Sequence, residues 1–406
     1  MRLHFKDDLY DAQLLRAVGH ATYRGAEIGE CLATVAPVKE QDADGWYDAW
    51  MKTAARVHAL ADESLAAGRA LSARDGYLRA SNYYRTAYVF LLRPPLEERV
   101  TRAYDLQSAT FRSAAALFRP AFELVRIPYD GAGDLPAYVA RVDDQKRPLV
   151  VLVGGYDSTM EESYFFNVQA ALDRGYHCLC FDGPGQGEML VKRRTPFRAD
   201  WEAVVRPVVD YALTRPEVDG DAVVLMGLSF GGYLAARAAA GEPRLRACIV
   251  DPGQLDIHQA ILARLPGPLR GLAGSASPVK RALLRSIFKR VLKHPSKGWA
   301  LRRALLVHDV ATVEEYIELM RSYTLDGVIE RIACPTLVCE AENDDISAFA
   351  RAFFDRLTGP KDYLRFLGSE GAGAHCEMGG RALFHQKVFA WLDGIKNASA
   401  GQSRPA

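Results

Sequence analysis

A serine on a predicted strand-to-helix turn is the strongest chemical signal in this sequence. The run Val223–Ala235 is apolar and rich in β-branched residues, contains the pattern Gly-Leu-Ser-Phe-Gly around Ser229, and continues into an alanine-rich helix. Small residues beside the serine allow a sharp turn that raises its hydroxyl above the sheet at a helix N-terminus. The pattern alone is weak, and the strand and helix around it strengthen it. We therefore predict that Ser229 is a nucleophile.

A serine hydroxyl needs a general base at neutral pH, and that base needs an acid to orient it. Of the nine histidines, His375 lies in a glycine-rich loop after the last predicted strand and before the last helix. A base in a sheet with this nucleophile turn comes from such a loop. His385 falls on the following helix, and His58, His294 and His308 fall on helical segments. We predict that His375 is the base.

The acid should follow a strand and precede the histidine in the chain. Asp344 does so, because it comes just after the strand-like run 336–338. Asp345 and Glu342 are close by, but turn formation and helix capping explain them. Asp251, at the end of the preceding predicted strand, is the alternative acid. We predict Asp344 and keep Asp251 as its rival.

Two backbone N–H groups should stabilise the oxyanion of a tetrahedral intermediate. The amide of Phe230, at the helix start, supplies one, and the amide of Tyr156, after the glycine pair 154–155, supplies the other. Asp157 comes next in this loop. If burial keeps it neutral, it can donate a proton or contact substrate. The alternative is that Asp157 caps the helix that starts nearby.

The remaining sequence predicts the elements that position these residues. Residues 8–118 show apolar positions three and four apart, which indicates helices. Residues 122–142 read as a β-hairpin with turn residues at 130–134. Continuous apolar runs favour strands covered on both faces, as in a parallel α/β sheet. These runs are at 149–153, 178–181, 223–226, 248–250, 336–339 and 363–367.

This pattern predicts a mostly parallel α/β core with helical additions. The predicted regions are a helical N-terminal region at 1–120, the first part of the core at 121–253, a helical lid insertion at 254–329, the second part of the core at 330–396, and a disordered tail at 397–406.

Composition limits the class of partner. The 406 residues include 51 basic and 50 acidic side chains, a net charge of +1, which offers no excess positive field for nucleic acid. The basic segment 281–290 is read as a solvated helix face. We expect a small-molecule substrate and no membrane association, because no uncharged stretch approaches the roughly 20 residues of a membrane span. The N-terminus has no signal-peptide pattern, so we expect a cytoplasmic protein.

The cysteines do not suggest a metal site. The seven cysteines are an odd number, and several sit in apolar strand-like runs, so buried reduced thiols explain them best. Cys178 and Cys180 are the one close pair, and no other Cys or His pair has ligand spacing. We predict no metal.

Three motifs together resemble one branch of the α/β-hydrolase superfamily. They are the segments 154–163, 181–188 and 227–232, and the likeness continues through 334–336 to the Asp344 and His375 loops. The branch includes 2,6-dihydroxypseudooxynicotine hydrolase and the fungal polyketide-shortening C–C hydrolases. Its nicotine-pathway member has a glutamate where this chain has Asp157. Segment 254–329 matches poorly.

The resemblance implies hydrolysis of a C–C bond next to a ketone in an aromatic or polyketide-like molecule of secondary metabolism. It also implies no cofactor, an N-terminal helical region that helps to cover the site, and a homodimer. Tyr83 and Tyr84 in that region are candidate substrate-binding residues, although ordinary helix packing explains them equally well. Other functions on the same triad are an ester, amide or lactone hydrolase and an acyltransferase or cyclase. A non-catalytic binding protein on this fold is a further alternative.

Overall fold

The computed structural model describes residues 2–129, 133–273 and 277–402. Of the predicted turn 130–134, residues 130–132 lie outside the described ranges and residues 133 and 134 begin a strand; residues 403–406 also lie outside. The helices are α1 (Asp8–Gly19), α2 (Ile28–Val35), α3 (Ala43–Ala66), α4 (Ala70–Ala87), α5 (Glu98–Ala115), α6 (Met160–Ser163), α7 (Gln169–Leu172), α8 (Gly187–Val191), α9 (Glu202–Leu213), α10 (Phe230–Ala239), α11 (Ile257–Arg264), α12 (Gly267–Ala273), α13 (Pro278–Lys293), α14 (Trp299–Val307), α15 (Val313–Leu319), α16 (Ala350–Arg356) and α17 (Arg381–Gln402).

The strands alternate with helices after the first hairpin. They are β1 (Glu123–Tyr129), β2 (Gly133–Ala140), β3 (Arg147–Val153), β4 (His177–Phe181), β5 (Val218–Leu228), β6 (Ala247–Asp251), β7 (Thr336–Ala341) and β8 (Lys361–Phe366).

The chain forms two compact units, each built from three segments. Unit 1 comprises Met1–Leu117, Gly183–Ala199 and Leu255–Asp326, and unit 2 comprises Phe118–Asp182, Asp200–Gln254 and Gly327–Ala406. The sequence assigns 121–253 to the core without interruption. The structure instead groups Gly183–Ala199, which contains α8, with the helical unit.

Unit 2 contains a single eight-stranded sheet in the described part of the chain, in the order β1-β2-β4-β3-β5-β6-β7-β8. The β1–β2 and β2–β4 pairs are antiparallel, and every pair from β4 to β8 is parallel. The fold class is therefore α/β with a mostly parallel sheet, as predicted. Parallel strands have their carboxyl ends at the same edge, so loops that leave these ends lie together.

The central strands are buried on both faces, which explains their continuous apolar runs. All five residues of β4 and the last five residues of β3 are buried, whereas exposed and covered residues alternate along the edge strand β1. Helix α10, which follows β5, is buried along nearly its whole length. Burial on two faces requires apolar residues at every position, and this removes the period-two pattern of a half-solvated strand.

Unit 1 has an aromatic core that draws on distant parts of the chain. Tyr10 and Phe90 stack with ring centroids 3.9 Å apart, and the Trp46 indole N–H donates to the Thr86 carbonyl at 2.8 Å. The Trp299 indole N–H donates to the Val89 carbonyl at 2.9 Å. A buried indole N–H usually has a hydrogen-bond acceptor, and Trp46 and Trp299 each have one. The helical segments near 46, 90 and 299 thus share one core.

The C-terminal helix is longer than predicted. The sequence places a helix at 383–392 and a disordered tail from 397, but α17 extends from Arg381 to Gln402. The small and polar composition of 397–402 hid this extension, although alanine favours a helix. Among the residues that the structure describes, no helix combines the length and the apolar character of a membrane span.

Candidate active site

Ser229 occupies a strained turn between β5 and α10. Its backbone angles are φ 59° and ψ −127°, and a positive φ is uncommon for a residue with a side chain. Two hydrogen bonds hold this conformation. The Ser229 N–H donates to the Asp251 carbonyl at 2.6 Å, and the Gln254 side-chain amide donates to the Ser229 carbonyl at 2.7 Å. A strained backbone conformation that is held by hydrogen bonds from surrounding residues is typical of functional turns.

The glycines beside Ser229 are required by close packing. A Cβ at Gly227 would lie 2.0 Å from the Gly231 carbonyl oxygen, and a Cβ at Gly231 would lie 2.3 Å from the Val153 carbonyl oxygen. Backbone atoms cannot rotate away as a flexible side chain can. These two glycines therefore allow α10 to pack tightly against β3 and β5.

We expect Gly227→Ala to lower the free energy of unfolding by about 3 kcal/mol, because the added methyl group overlaps backbone atoms. Urea unfolding followed by circular dichroism measures the loss. Gly394→Ala is the matched control in the same unit, since a Cβ there meets nothing within 4 Å and the residue lies inside α17. The control should be neutral or gain up to about 1 kcal/mol. Equal effects in the two variants would contradict the packing argument.

Three side chains from three different loops form a continuous chain of hydrogen bonds. His375 Nε2 lies 2.9 Å from Ser229 Oγ, and His375 Nδ1 lies 2.7 Å from Asp344 Oδ2. The two contacts assign the imidazole proton to Nδ1, because Asp344 only accepts when ionised. The lone pair of Nε2 then faces the serine hydroxyl. This is the geometry that general-base activation of a serine needs.

Asp344 is fixed by its own loop. Its Oδ1 accepts the Ile346 N–H at 3.0 Å, and its Oδ2 accepts the Ser347 hydroxyl at 2.9 Å. The Asp344 side chain is only 5% exposed, whereas the His375 side chain is 39% exposed. The acid is thus held in a shielded position, and the imidazole remains open to a substrate.

The acid loop and the histidine loop are also joined by two hydrogen bonds from main-chain N–H groups. The Asn343 N–H donates to the Gly373 carbonyl at 2.8 Å, and the Gly368 N–H donates to a Glu342 carboxylate oxygen at 2.8 Å. Both loops leave the carboxyl ends of neighbouring parallel strands, β7 and β8. These hydrogen bonds between the two loops limit the movement of the His375 imidazole relative to Asp344.

The electrostatics favour the ion pair that would form during turnover. Burial lowers the pKa of His375, but the Cys376 sulfur and the Asp344 carboxylate raise it by more, so the pKa lies well above the usual value. Burial raises the pKa of Asp344, but hydrogen bonds from His375, Ile346 and Ser347 lower it by more, and the net direction is down. An ionised Asp344 therefore stabilises a protonated imidazole.

The loop after β3 lies against the nucleophile. A Cβ at Gly155 would be 2.8 Å from Ser229 Cβ and 3.1 Å from Ser229 Oγ, so only a glycine allows this approach. The rings of Tyr156 and Phe230 pack with centroids 4.5 Å apart. Tyr156 thus follows the glycine that packs against Ser229, and its ring contacts the residue after Ser229; the supply of oxyanion N–H groups by Tyr156 and Phe230 stays a prediction.

Asp157 is half-buried in the same loop. The alternative prediction was that it caps the next helix, but Thr159 is the N-cap of α6 and accepts the Glu162 N–H at 3.3 Å. Thr159 therefore occupies the N-cap position of α6. The role of Asp157 as a proton donor or substrate contact stays a prediction.

Several candidates from the sequence lie outside the hydrogen-bonded group. Tyr83 is fully buried in unit 1, where its hydroxyl accepts the Glu27 N–H at 2.9 Å and donates to Glu30 at 2.8 Å. Tyr84 is also buried, with its hydroxyl 3.5 Å from His58 Nδ1. Ordinary helix packing accounts for these contacts of both tyrosines, and their role as substrate-binding residues stays a prediction.

The rival acid and the rival histidine have other surroundings. Asp251 is buried at the end of β6, and its carboxylate lies 3.5 Å from Arg381 Nη1. His385 is buried in α17, with Nε2 2.6 Å from the Phe166 carbonyl oxygen. Among the described contacts, it is Asp344 that hydrogen-bonds His375 Nδ1.

Sequence reasoning missed the residues that support the group. Gln254 and Ser347 hold Ser229 and Asp344, and the Cys376 thiol lies 3.5 Å from His375 Nε2. Only Ser347 had a local signal, because a hydroxyl three residues after an aspartate often bonds back to it. The seven cysteines are free and six are buried, as predicted, with Cys334 partly exposed. Within the described ranges, no three His, Cys, Asp or Glu side chains are grouped as metal ligands.

Comparisons with known proteins agree with this architecture. A model described as the Alpha/beta hydrolase family matches residues 149–379, and one described as Esterase FrsA-like matches residues 25–263. Hydrolase LUC6 of Fusarium sp is 35% identical, over 96% of this chain and 97% of the relative. The 20-hydroxy-prefusarin hydrolase FUS2 of Gibberella moniliformis is 35% identical, over the same 96% and 97%.

A solved structure extends the likeness to the fold. The 2,6-dihydroxy-pseudo-oxynicotine hydrolase superposes with a TM-score of 0.73 at 25% identity, and the match covers 93% of this chain and 95% of that chain. The chain belongs to the α/β hydrolase family. The resemblance predicted from the sequence motifs is thereby confirmed, and the relatives' names identify the chain as an enzyme of the hydrolase class.

Proposed function

We propose that the protein is a serine hydrolase in which Ser229, His375 and Asp344 form a catalytic triad. The observation that carries the proposal is the unbroken series of contacts from Ser229 Oγ to His375 Nε2 and from His375 Nδ1 to Asp344. His375 removes the serine proton as Ser229 attacks a carbonyl carbon. Asp344 stabilises the imidazolium that forms.

The attack produces a tetrahedral oxyanion next to the helix start. The N–H groups of Phe230 and Tyr156 stabilise it, since both residues lie beside Ser229. Collapse of the intermediate leaves an acyl group on Ser229 and expels the other half of the substrate. His375 returns its proton to that half, and water activated by the same imidazole then releases the acid.

For a β-dicarbonyl or aryl ketone substrate, the group expelled is a stabilised carbanion. Cleavage of the C–C bond then needs a proton at carbon, which His375 supplies with help from Asp157. Support for this reaction comes from the relatives, because the superposed enzyme is a hydrolase of 2,6-dihydroxy-pseudo-oxynicotine and a relative is a hydrolase of 20-hydroxy-prefusarin. The substrate that we propose is an aromatic or polyketide-like small molecule.

An esterase is the second candidate. The Esterase FrsA-like model matches residues 25–263, which include Ser229. Ester, amide and lactone hydrolysis and acyl transfer all proceed through the same acyl-enzyme, so the triad does not separate them. A cytoplasmic homodimer also stays a prediction.

We expect a fluorophosphonate probe to label Ser229, because the probe traps an activated serine. Peptide mass spectrometry locates the adduct, and the Ser229→Ala variant is the unlabelled control. Labelling at another residue, or none on the folded protein, would contradict the proposed triad. Incubation of β-diketones, aryl ketones and esters in ¹⁸O-labelled water then separates the reactions. C–C hydrolysis places the label in the acid product from a ketone, whereas turnover of esters alone favours the second candidate.

A further inference from the structure

A second cluster of ionisable side chains lies next to the histidine loop, and the mechanism above does not use it. Glu377, Asp251 and Arg381 are 0%, 1% and 6% exposed. Glu377 belongs to the loop of His375, Asp251 is the last residue of β6, and Arg381 is the first residue of α17. Three buried ionisable groups are costly unless their charges balance and their hydrogen bonds are made.

Arg381 connects the two carboxyl groups to the main chain beside His375. Its Nη1 lies 3.2 Å from Glu377 Oε2 and 3.5 Å from Asp251 Oδ2, and it donates to the Cys376 carbonyl at 3.1 Å. The guanidinium therefore fixes the carbonyl group of the residue that directly follows the proposed base.

The other end of the guanidinium is fixed as well. Arg381 Nη2 donates to the Asn167 side-chain oxygen at 2.5 Å and to the Phe166 carbonyl at 3.2 Å. The Phe384 ring lies 3.8 Å from the guanidinium carbon. Contacts to the face and to both Nη atoms of the guanidinium restrain the Arg381 side chain. Arg381 therefore holds the histidine loop in a fixed position.

The two carboxyl groups meet at one nitrogen of Arg381, and Glu377 Oε1 and Asp251 Oδ2 are buried without another hydrogen-bond partner. One guanidinium balances one carboxylate, so a single proton held between the two carboxyl groups balances the charges of the cluster. Burial, followed by the nearby Asp251 charge, raises the pKa of Glu377 well above its usual value. Burial also raises the pKa of Asp251, but by less, so Glu377 is the group that keeps the proton and donates it to Asp251. With Glu377 neutral, the charges of Asp251 and Arg381 cancel.

The loop that this cluster holds is strained. Cys376 and Glu377 have φ values of 52° and 47°, and two consecutive residues with side chains rarely adopt positive φ. Such strain persists only where the surroundings enforce it. Asp251 also accepts the Ser229 N–H through its carbonyl, so one residue contacts both the nucleophile turn and, through Glu377, the base loop.

We propose that Glu377, as the hydrogen-bond donor to Asp251 beside Arg381, is a positioning residue that keeps the imidazole of His375 within reach of Ser229. The inference rests on the proposed function of His375 as base. Glu377 itself contacts no reacting atom. The ionisable groups around the Glu377–Asp251 pair are Arg381 from α17, Cys339 from β7, His375 and Cys376 from the same loop as Glu377, and Asp344 from the acid loop.

The test compares Glu377→Ala with Glu377→Gln on the full chain, using p-nitrophenyl acetate turnover and the rate of fluorophosphonate labelling. We expect E377A to lower kcat by about 30- to 100-fold with KM changed by less than about 3-fold, since a misplaced base slows chemistry but not binding. We expect E377Q to stay within about 5-fold of wild type, because its amide N–H still donates to Asp251. The control is Glu370→Ala, an exposed glutamate before His375, which should change neither value.

The pH profile supplies a second measurement. Glu377 loses its proton as pH rises, so wild-type kcat should fall on the alkaline side and the fall should be absent in E377Q. Between the usual glutamate pKa and the raised one, the folded protein binds the extra proton, so rising pH should lower the unfolding midpoint of wild type relative to E377Q.

Three results would overturn the inference. They are E377A activity within about 3-fold of wild type, E377Q activity as low as that of E377A, and identical pH profiles of activity and unfolding in wild type and E377Q. If E377A does not fold, the pH profiles of activity and unfolding of E377Q, compared with those of wild type, test the inference. A wild-type protein that is not labelled at Ser229 would instead count against the proposed triad, and the unfolding profiles would still report on the cluster.

Discussion

Replacing Ser229 with alanine should lower kcat by about 10⁵-fold or more while the fold is retained, because the acyl-enzyme cannot form without the hydroxyl. Alanine fits the site, since the change removes one oxygen from a half-buried side chain. Turnover of p-nitrophenyl acetate measures the loss, and circular dichroism and thermal unfolding report on the fold.

Ser113→Ala is the matched control for this experiment. Ser113 is half-buried on α5 in unit 1, and its hydroxyl donates to the Ala109 carbonyl at 3.3 Å. The control should keep wild-type turnover. Turnover by Ser229→Ala within about 10-fold of wild type would remove the nucleophile assignment, given the losses seen when a triad serine is deleted.

Replacing Asp344 with asparagine should lower kcat by about 10⁴-fold, because the amide no longer fixes the Nδ1 proton of His375. It should also move the acidic limb of the pH profile. His375 must be neutral to act as a base, and its raised pKa means that wild-type activity falls as pH drops through a value above the usual one. Removing the Asp344 charge lowers that pKa, so the acidic limb of the variant should move to lower pH.

The neighbouring substitution Asp345→Asn is the control, since Asp345 is exposed and next in the chain. Profiles of kcat/KM against pH from 5 to 10 compare the three proteins. An unshifted acidic limb in Asp344→Asn, or an equal shift in Asp345→Asn, would contradict the assignment of the acid.

The sequence was most informative where local pattern and tertiary role agree. The run Leu149–Val153 is apolar at every position because both faces of β3 are buried, so its pattern predicts its place in the sheet. Ser229, Asp344 and His375 follow three parallel strands, so chain order alone predicts that they meet at one edge. The Gly-x-Ser-x-Gly turn could be predicted because its conformation depends on residues that are adjacent in the sequence.

The sequence was least informative where the outcome depends on distant partners. Gly183–Ala199 follows β4 and reads as core, but in unit 1 the Phe197 N–H donates to the Val307 carbonyl and Lys192 pairs with Asp105. Nothing near these residues indicates such partners. Tyr83 shows the same limit, since nothing in the local sequence around an aromatic residue on a helix indicates whether its side chain faces a ligand or a core.

No sequence pattern indicates that ionisable residues are buried next to the histidine loop. Glu377 and Arg381 are four residues apart, a spacing that on a helix is typical of an exposed ion pair and gives no sign of burial. Their burial follows from the end of β6, which supplies Asp251 from more than a hundred residues earlier. Charge balance inside a protein is a property of the assembled structure.

The discontinuous course of unit 1 has a consequence for biosynthesis. Its aromatic core includes Trp299, so the first 117 residues leave the ribosome long before the indole that binds the Val89 carbonyl has been made. The core of unit 1 cannot form fully while the N-terminal helices are being synthesised, because some of its residues are translated much later. The nascent helices must wait for the chain beyond residue 255, and a gene fragment that ends earlier would yield a product with an incomplete interior.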